Sequence, residues 1–347
     1  MYIRGLPVRL APMPPKPFAT LFLALCLVAG CDRSPSNISS PSNATKEVVL
    51  YTSIDEPVAR PILDAFTKET GIKVLIKTDA EASKTAGLAE TIRAEKANPQ
   101  CDVFWNNEPF HTINLAEEGL LAAYDSPAAK DVAPQFKDAA HRWASDGLRL
   151  RMIAISPKGE RVTTIDGLTD PAFKGRVGMA NPAFGTTSGH VASLFVLWGN
   201  DRAEQFLKAL KANDVKLLGG NGEVVKQVAA GNIDAGLTDN DDVDSMLREG
   251  GQLKGTPART KDDPGTLALP CTVALVAGAK HSDEAKKLID YLLSSDVEAK
   301  LLEAKFTAAG VRGAAPGVPV MKVDYREIAK AMPKAVASAR RILEGRE

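Results

Sequence analysis

The sequence has little of what marks several large classes of protein. Of 347 residues, four are Cys, five Tyr and three Trp. Four Cys in a chain of this length do not make a disulfide-stapled scaffold. An excess of one charge is missing too: 43 Lys and Arg stand against 43 Asp and Glu, so no basic field points to a nucleic-acid partner. Local catalytic signatures are absent: there is no His-Glu-x-x-His, Cys-x-x-Cys, Gly-x-x-x-x-Gly-Lys or Gly-x-Ser-x-Gly. In Gly185-Thr186-Thr187-Ser188-Gly189 the Ser stands one residue too late for a nucleophile elbow. The histidines at 111, 141, 190 and 281 are too far apart for local metal spacing. An enzyme is therefore not expected, since a hydrolase would need scattered residues. What remains is an ordinary globular composition, at a length that leans towards two domains.

The first 31 residues stand apart. They carry Arg4, Arg9 and Lys16 and no acid, then an apolar run over 18–28. That run is too short to span a bilayer and suits a secretory signal. It ends in Leu27-Val28-Ala29-Gly30-Cys31, which looks like a bacterial lipobox, with small residues for the signal peptidase and a thiol for the lipid. The alternative is an ordinary signal that leaves Cys31 as a free thiol. The expectation adopted is a signal peptide over 1–30, lipidation at Cys31, and a polar tether over 31–46 without periodicity. Asp32 after the Cys resembles an inner-membrane retention signal of Gram-negative lipoproteins. Removing 1–30 takes away three positive charges and leaves a net charge of −3, too weak a field for a polyanionic partner.

From Glu47 the chain alternates strand and helix, the pattern of a parallel sheet with helices on both faces. Strands are expected over 48–51, 72–76 and 102–105, with helices from Pro57 to Gly71, over 83–94 and over 110–118. A second region holds strands over 148–155, 177–180, 215–218 and 233–237. Its helices fall over 189–198, 201–212 and 222–230, with another opened by 239–242. A strand over 272–276 and helices within 282–304 and 325–344 complete the chain. Ligands of open α/β sheets sit beyond the carboxyl ends of strands. Polar residues mark four such points, at 52–56 (with Ser53 and Asp55), 106–108, 181–188 and 239–242. Two lobes facing each other would bring these turns to one cleft.

Several stretches resemble the periplasmic substrate-binding proteins of ABC importers, specifically the ferric-iron-binding group. They are Tyr51-Thr52-Ser53-Ile54-Asp55-Glu56, Phe66-Thr67-Lys68-Glu69-Thr70-Gly71-Ile72-Lys73-Val74, Asp102-Val103-Phe104-Trp105, residues 147–154, Thr187-Ser188-Gly189-His190, Asp263-Pro264-Gly265 and Glu284-Ala285-Lys286-Lys287. The resemblance implies a two-domain α/β fold of the periplasmic binding protein kind (type II), with the ligand in a cleft between lobes joined by crossover strands. Residues 47–147 with 271–347 would form one lobe and 148–270 the other. It further implies a monomer that hands a small solute to a permease and its ATPase at the periplasmic face of the inner membrane. A sensory binder has the same binding physics.

Iron-binding members carry adjacent tyrosines after the strand that 233–237 resembles; here those positions are Asp241 and Asp242. The first-turn ligand corresponds to Asp55, and the Glu after the third strand falls at Asn107, with Glu108 next. Asp55, Glu108, Asp241 and Asp242 are thus the expected cation ligands. They suit a hard cation such as Fe³⁺, carried as the transported ligand and not as a cofactor. They equally suit an organic cation such as a polyamine, and Asp239, Asp241 and Asp242 are also simply good helix openers. The stretch Thr187, Ser188, Gly189, His190 corresponds to the family's synergistic-anion site, and Asn221 opens another helix N-terminus able to take an oxyanion such as a phosphonate. Arg149 and Arg151, on one face of a strand, either bind an anion or neutralise nearby acids. Trp105 either stacks on an organic ligand or belongs to the core. The family's antiparallel pairing of the strands that 102–105 and 272–276 resemble would put Cys101 and Cys271 at opposite sheet edges, so no bridge joins them.

Overall fold

The computed structural model describes residues 46–79, 85–263, 265–313 and 316–345. The expected signal peptide, the expected lipid site at Cys31 and the expected tether to residue 45 lie outside the described residues, as does the start of the helix expected from 83.

The first βα units follow from local signals. Strand β1 (Glu47–Thr52) leads to helix α1 (Glu56–Thr70), which has Pro in its first turn. It ends at Gly71, whose φ of 72° closes the last turn in a conformation that only Gly adopts without strain. Strand β2 (Lys73–Thr78), α2 (Ala86–Ala94), β3 (Val103–Asn106), α3 (Phe110–Glu117) and the short β4 (Leu121–Ala122) follow. The next strand, β5, covers Ala144–Ile155 and begins four residues before the expected 148. After it come β6 (Val177–Ala180), α4 (Gly185–Trp198), α5 (Asn200–Ala212), β7 (Lys216–Leu218), α6 (Asn221–Ala229), β8 (Ala235–Asp239), α7 (Asn240–Arg248) and β9 (Lys254–Pro257). Strand β10 (Ala268–Val276) returns the chain, and α8 (Ser282–Leu292), α9 (Ser295–Glu303) and α10 (Tyr325–Glu344) complete it.

The strands run in the order β2-β1-β3-β10-β5-β8-β6-β7, with β4 beside β10 and β9 beside β5. Pairing is parallel for β2-β1-β3 and for β8-β6-β7, and antiparallel where β10 and β5 cross between these two halves. Strand β5 lies against β10 up to Leu150 and against β8 from Arg151 on. The divisions expected at 147/148 and 270/271 therefore fall inside the two crossover strands. Where β5 and β10 meet, Gly147 faces Cys271 and Ser145 faces Thr272, so Asp146 is an extra residue on β5, a bulge.

Helix α10 buries Ile328, Ala329, Met332, Ala335, Ala339 and Ile342, spaced along one face. The first four join the cluster around Phe104 and Phe110, and the last two join Val191 and Leu207. It thus packs on α3 at one end and on α4 and α5 along the rest, strapping the two halves together. Trp105 belongs to the core and donates its indole N–H to Asp146 Oδ2 at 2.6 Å. Because Leu275 pairs with Val103 and Thr272 with Asn106, Cys101 and Cys271 stand at opposite ends of the β3-β10 ladder, and both are buried free thiols.

Candidate functional site

Five turns at strand ends converge on the crossover strands. Ser53, after β1, donates to Asn106 Oδ1 at 2.6 Å, and its hydroxyl accepts the Asn107 N–H at 2.9 Å. That pair of bonds fixes the turns after β1 and β3 to each other. Asn107 in turn accepts from Thr85 at 3.1 Å. Across from it, α4 starts at Gly185, whose φ of +57° lets the chain turn into the helix. Helix α6 starts at Asn221 after Gly219 and Gly220, and α7 starts after Asp239. Between them lies a pocket of about 380 Å³, part of it open to solvent. Asn107 lines one side and Arg149 the floor; Asn181, Phe184, Thr186, Asn221 and Asp242 line the other.

Behind the pocket sits a buried charge network. Arg151 is fully buried and donates to Asp239 Oδ1 at 2.6 Å, Thr186 Oγ1 at 2.9 Å and Thr187 Oγ1 at 3.2 Å. Its Nε points to His190 Nδ1 at 3.3 Å. Asp239 also accepts from Thr186 at 2.6 Å and Asn221 at 2.8 Å, and pairs with Arg149 at 3.1 Å. Arg149, 3% exposed, reaches both oxygens of Asp241, at 2.6 and 2.7 Å. Burial, the largest influence on Asp239, opposes its charge, but Arg151 and Arg149 outweigh it and hold the carboxyl below its usual range. Burial pushes Asp241 up, with Asp239 and Asp55 adding to the shift and Arg149 pulling it back. For His190, burial and then the Arg151 charge bring the imidazole down to about 3, so it is neutral with its Nε2 buried and unpartnered among the described residues.

The expected ligands thus divide. Asp241 and Asp242 come together with Asp239: all three offer oxygens within 4.8 Å of one another, the one such group of His, Cys, Asp or Glu among the described residues. Asp55, half-buried, accepts two backbone N–H groups on its carbonyl at the start of α1, and its charge reaches Asp241. Glu108 is different. It is fully buried, and its carboxylate accepts Phe110 N–H at 2.6 Å, Asn106 Nδ2 at 2.9 Å and His111 N–H at 3.2 Å, with the His111 ring at 2.9 Å. It caps α3 and does not line the pocket. A buried carboxylate at a helix start is satisfied by just those N–H groups.

The expected anion stretch also divides. Thr187 and Asn221 are joined at 3.3 Å and belong to the Arg151 network. Ser188 donates back to the Gly185 carbonyl at 2.6 Å and lies 3.5 Å from the Met332 sulfur on α10, turned away from the pocket. Gly189 is a close-packing position: a Cβ there would stand 2.0 Å from the Phe110 ring. His190 supports Arg151 from behind. Arg149 and Arg151 both neutralise acids, which was one of the two readings open to them. The sequence places Asp239 and Thr186 at two of the polar cleft turns but gives neither its partners in the network. The missing signal was register, since only the pairing of Arg151 with Asp239 across β5 and β8 brings those charges together.

Tyrosines are elsewhere. Tyr51 bonds Glu95, Tyr124 bonds Asp290, Tyr291 packs on Phe66 and Tyr325 donates to the Ala268 carbonyl. No described tyrosine lines the pocket.

Residues 48–306 match the family model described as bacterial extracellular solute-binding protein. The major ferric iron-binding protein of Neisseria meningitidis serogroup B is 26% identical over 270 residues, covering 75% of this chain and 79% of that protein. A putative 2-aminoethylphosphonate-binding periplasmic protein of Salmonella paratyphi A is 27% identical over 279 residues, 76% of this chain and 79% of its own length. Among solved structures, iron-bound HitA from Pseudomonas aeruginosa superposes with a TM-score of 0.75 at 25% identity, over 86% of this chain and 99% of that one. That likeness carries the two-lobe α/β architecture of a periplasmic binding protein.

Proposed function

The chain belongs to the bacterial extracellular solute-binding proteins, and from that premise we propose that it captures a small amino-substituted phosphorus oxyanion, of the 2-aminoethylphosphonate kind, and delivers it to an ABC permease. One observation carries the choice of ligand: Arg149 at the pocket floor and Arg151 buried behind it are inserted among the aspartates. With Asp239 and Asp241 already ion-paired, a bare hard cation would have to displace a guanidinium. The pocket wall, by contrast, is made of the first residues of α4 and α6, with Thr186 and Asn221 among them. Helix N-termini bring N–H groups and positive dipole ends to an oxyanion. Asp242 at the rim, with Asp55 facing Asp241 from the other lobe, suits the ammonium end by charge-assisted hydrogen bonds. A relative of matching length carries a phosphonate-binding name.

A second reading, ferric iron, is favoured by the spacing of the three aspartates and by the iron-binding relatives. A thermal-shift panel separates the two. Against the chelator-stripped protein one would titrate 2-aminoethylphosphonate, phosphate, a polyamine, Fe³⁺ with carbonate, Mn²⁺ and Ca²⁺. A ligand at 100 times its dissociation constant adds about 2.7 kcal/mol. The phosphonate is expected to raise the melting temperature and the metals to leave it unchanged; a shift with Fe³⁺ alone would reverse the assignment.

The protein would work at the periplasmic face of the inner membrane, as a monomer held by lipid on Cys31. Replacing Cys31 with Ala is expected to abolish palmitate labelling and release the protein from membranes; labelling that persists would place the anchor elsewhere.

A further inference from the structure

The guanidinium of Arg149 stands where a bound cation would stand. Its Nη2 is 2.6 and 2.7 Å from the two oxygens of Asp241 and 3.1 Å from Asp239 Oδ2, and its Nε is 3.1 Å from Asp241 Oδ1. The Phe306 ring lies 5.2 Å from the guanidinium carbon, and the Asn107 carbonyl is 3.4 Å from Nη1. These contacts fix the group on the pocket floor and leave it 3% exposed. Around it, Asp239, Asp241 and Asp242 offer oxygens within 4.8 Å of one another, close enough for one ion to touch all three. A metal ion and this guanidinium compete for the same oxygens, and at such separations a fixed positive charge repels a second one strongly.

The geometry points to Arg149 as a specificity-determining residue, an internal cation that closes the Asp239-Asp241-Asp242 group to metal ions from the pocket side, with Arg151 holding the other oxygen of Asp239 at 2.6 Å from behind. The side chain does so in two ways. It takes up two carboxylates in bidentate or bridging contact, and its charge lies within hydrogen-bond distance of any ion they would hold. Arginine fits this role better than lysine, because it stays charged when buried and its planar fork matches a carboxylate. The inference deepens the proposed function by explaining why a relative of iron-binding proteins would take a charged organic solute instead, and it rests on that reading for the identity of the solute alone.

The test uses Mn²⁺ and Tb³⁺ as probes, titrated by calorimetry into the wild-type protein and into Arg149→Gln, Arg149→Lys and the double variant Arg149→Gln with Asp241→Asn. Arg149→Gln is expected to bind both ions at least about 100-fold more tightly than wild type. Arg149→Lys, which keeps the charge, should stay within a few-fold of wild type, and the double variant should lose the gain. If Arg149→Gln is unfolded without metal, either ion should restore its circular dichroism. Wild-type protein that binds the ions as tightly as Arg149→Gln would overturn the inference, as would a folded Arg149→Gln that gains nothing or an unfolded one that metal does not restore. A parallel titration of wild type with 2-aminoethylphosphonate reads the proposed function separately, so a failure there leaves the metal result to stand or fall by itself.

Discussion

Replacing Arg151 with Met is expected to cost about 3–5 kcal/mol of folding stability. The side chain is fully buried, and its removal leaves Asp239 with one of its two cationic partners in a place water does not reach. Thr186, Thr187 and His190 would each lose the group that orients them. Most of the loss comes from the stranded carboxylate, not from an intrinsically strong pair, since a buried ion pair roughly offsets its own desolvation. Two checks follow from that reasoning. Arg151→Met combined with Asp239→Asn should recover a large part of the loss in urea unfolding. The single variant should also gain stability relative to wild type as the pH falls and Asp239 takes up a proton. An Arg151→Met protein as stable as wild type at neutral pH would show that the network does not hold the lobe together.

The second large effect is a pH dependence centred on Asp146. This residue is the extra one on the β5 bulge and is buried. Its Oδ2 accepts the Trp105 indole N–H, while Oδ1 has no partner among the described residues. Burial pushes the carboxyl up to about 7 from the usual 3.8; the Trp105 bond pulls it down, Glu298 adds to the rise and Arg312 opposes it. The sign follows from proton counting. Between about pH 4 and 7 the unfolded chain has released this proton and the folded chain still holds it, so stability falls as pH rises through that window and then levels off. At about 1.4 kcal/mol per pKa unit, the loss reaches up to about 4 kcal/mol. Asp146→Asn keeps an acceptor for Trp105 and carries no charge. The difference in melting temperature between Asp146→Asn and wild type should therefore grow in the variant's favour from pH 4 to 7 and stay constant above. Parallel profiles over that range would mean that Asp146 is ionised and satisfied in the native state.

Much of the fold was legible because its signals are local. Pro57 and Gly71 bracket α1, and the long amphipathic face of α10 needs no partner to be seen. The start of β5 was not legible: the strand was expected only from 148, and β10 opposite extends it back to Ala144 with a bulge at Asp146. The site divides along the same line. The four polar turns at strand ends were visible as a class, and three of them, through Asn107, Thr186 and Asp242, line the pocket together with Asn221 at the start of α6. The roles of individual residues were not visible. Ser188 turned to α10 and Gly189 met the Phe110 ring, because each depends on an element far away in sequence, whereas the Glu108 cap on α3 is made locally with Phe110 and His111. Likewise nothing short of the β5-β8 register tells whether Arg151 faces a ligand or Asp239.

The most direct test of the account is a crystal structure of the protein grown with 2-aminoethylphosphonate and Fe³⁺ both present. The predicted result is one phosphonate in the cleft, its oxygens at the first turns of α4 and α6 near Asn221, its ammonium at Asp242, and Arg149 still on Asp241. A ferric ion on Asp239, Asp241 and Asp242, with the Arg149 side chain swung away and no phosphonate bound, would contradict it.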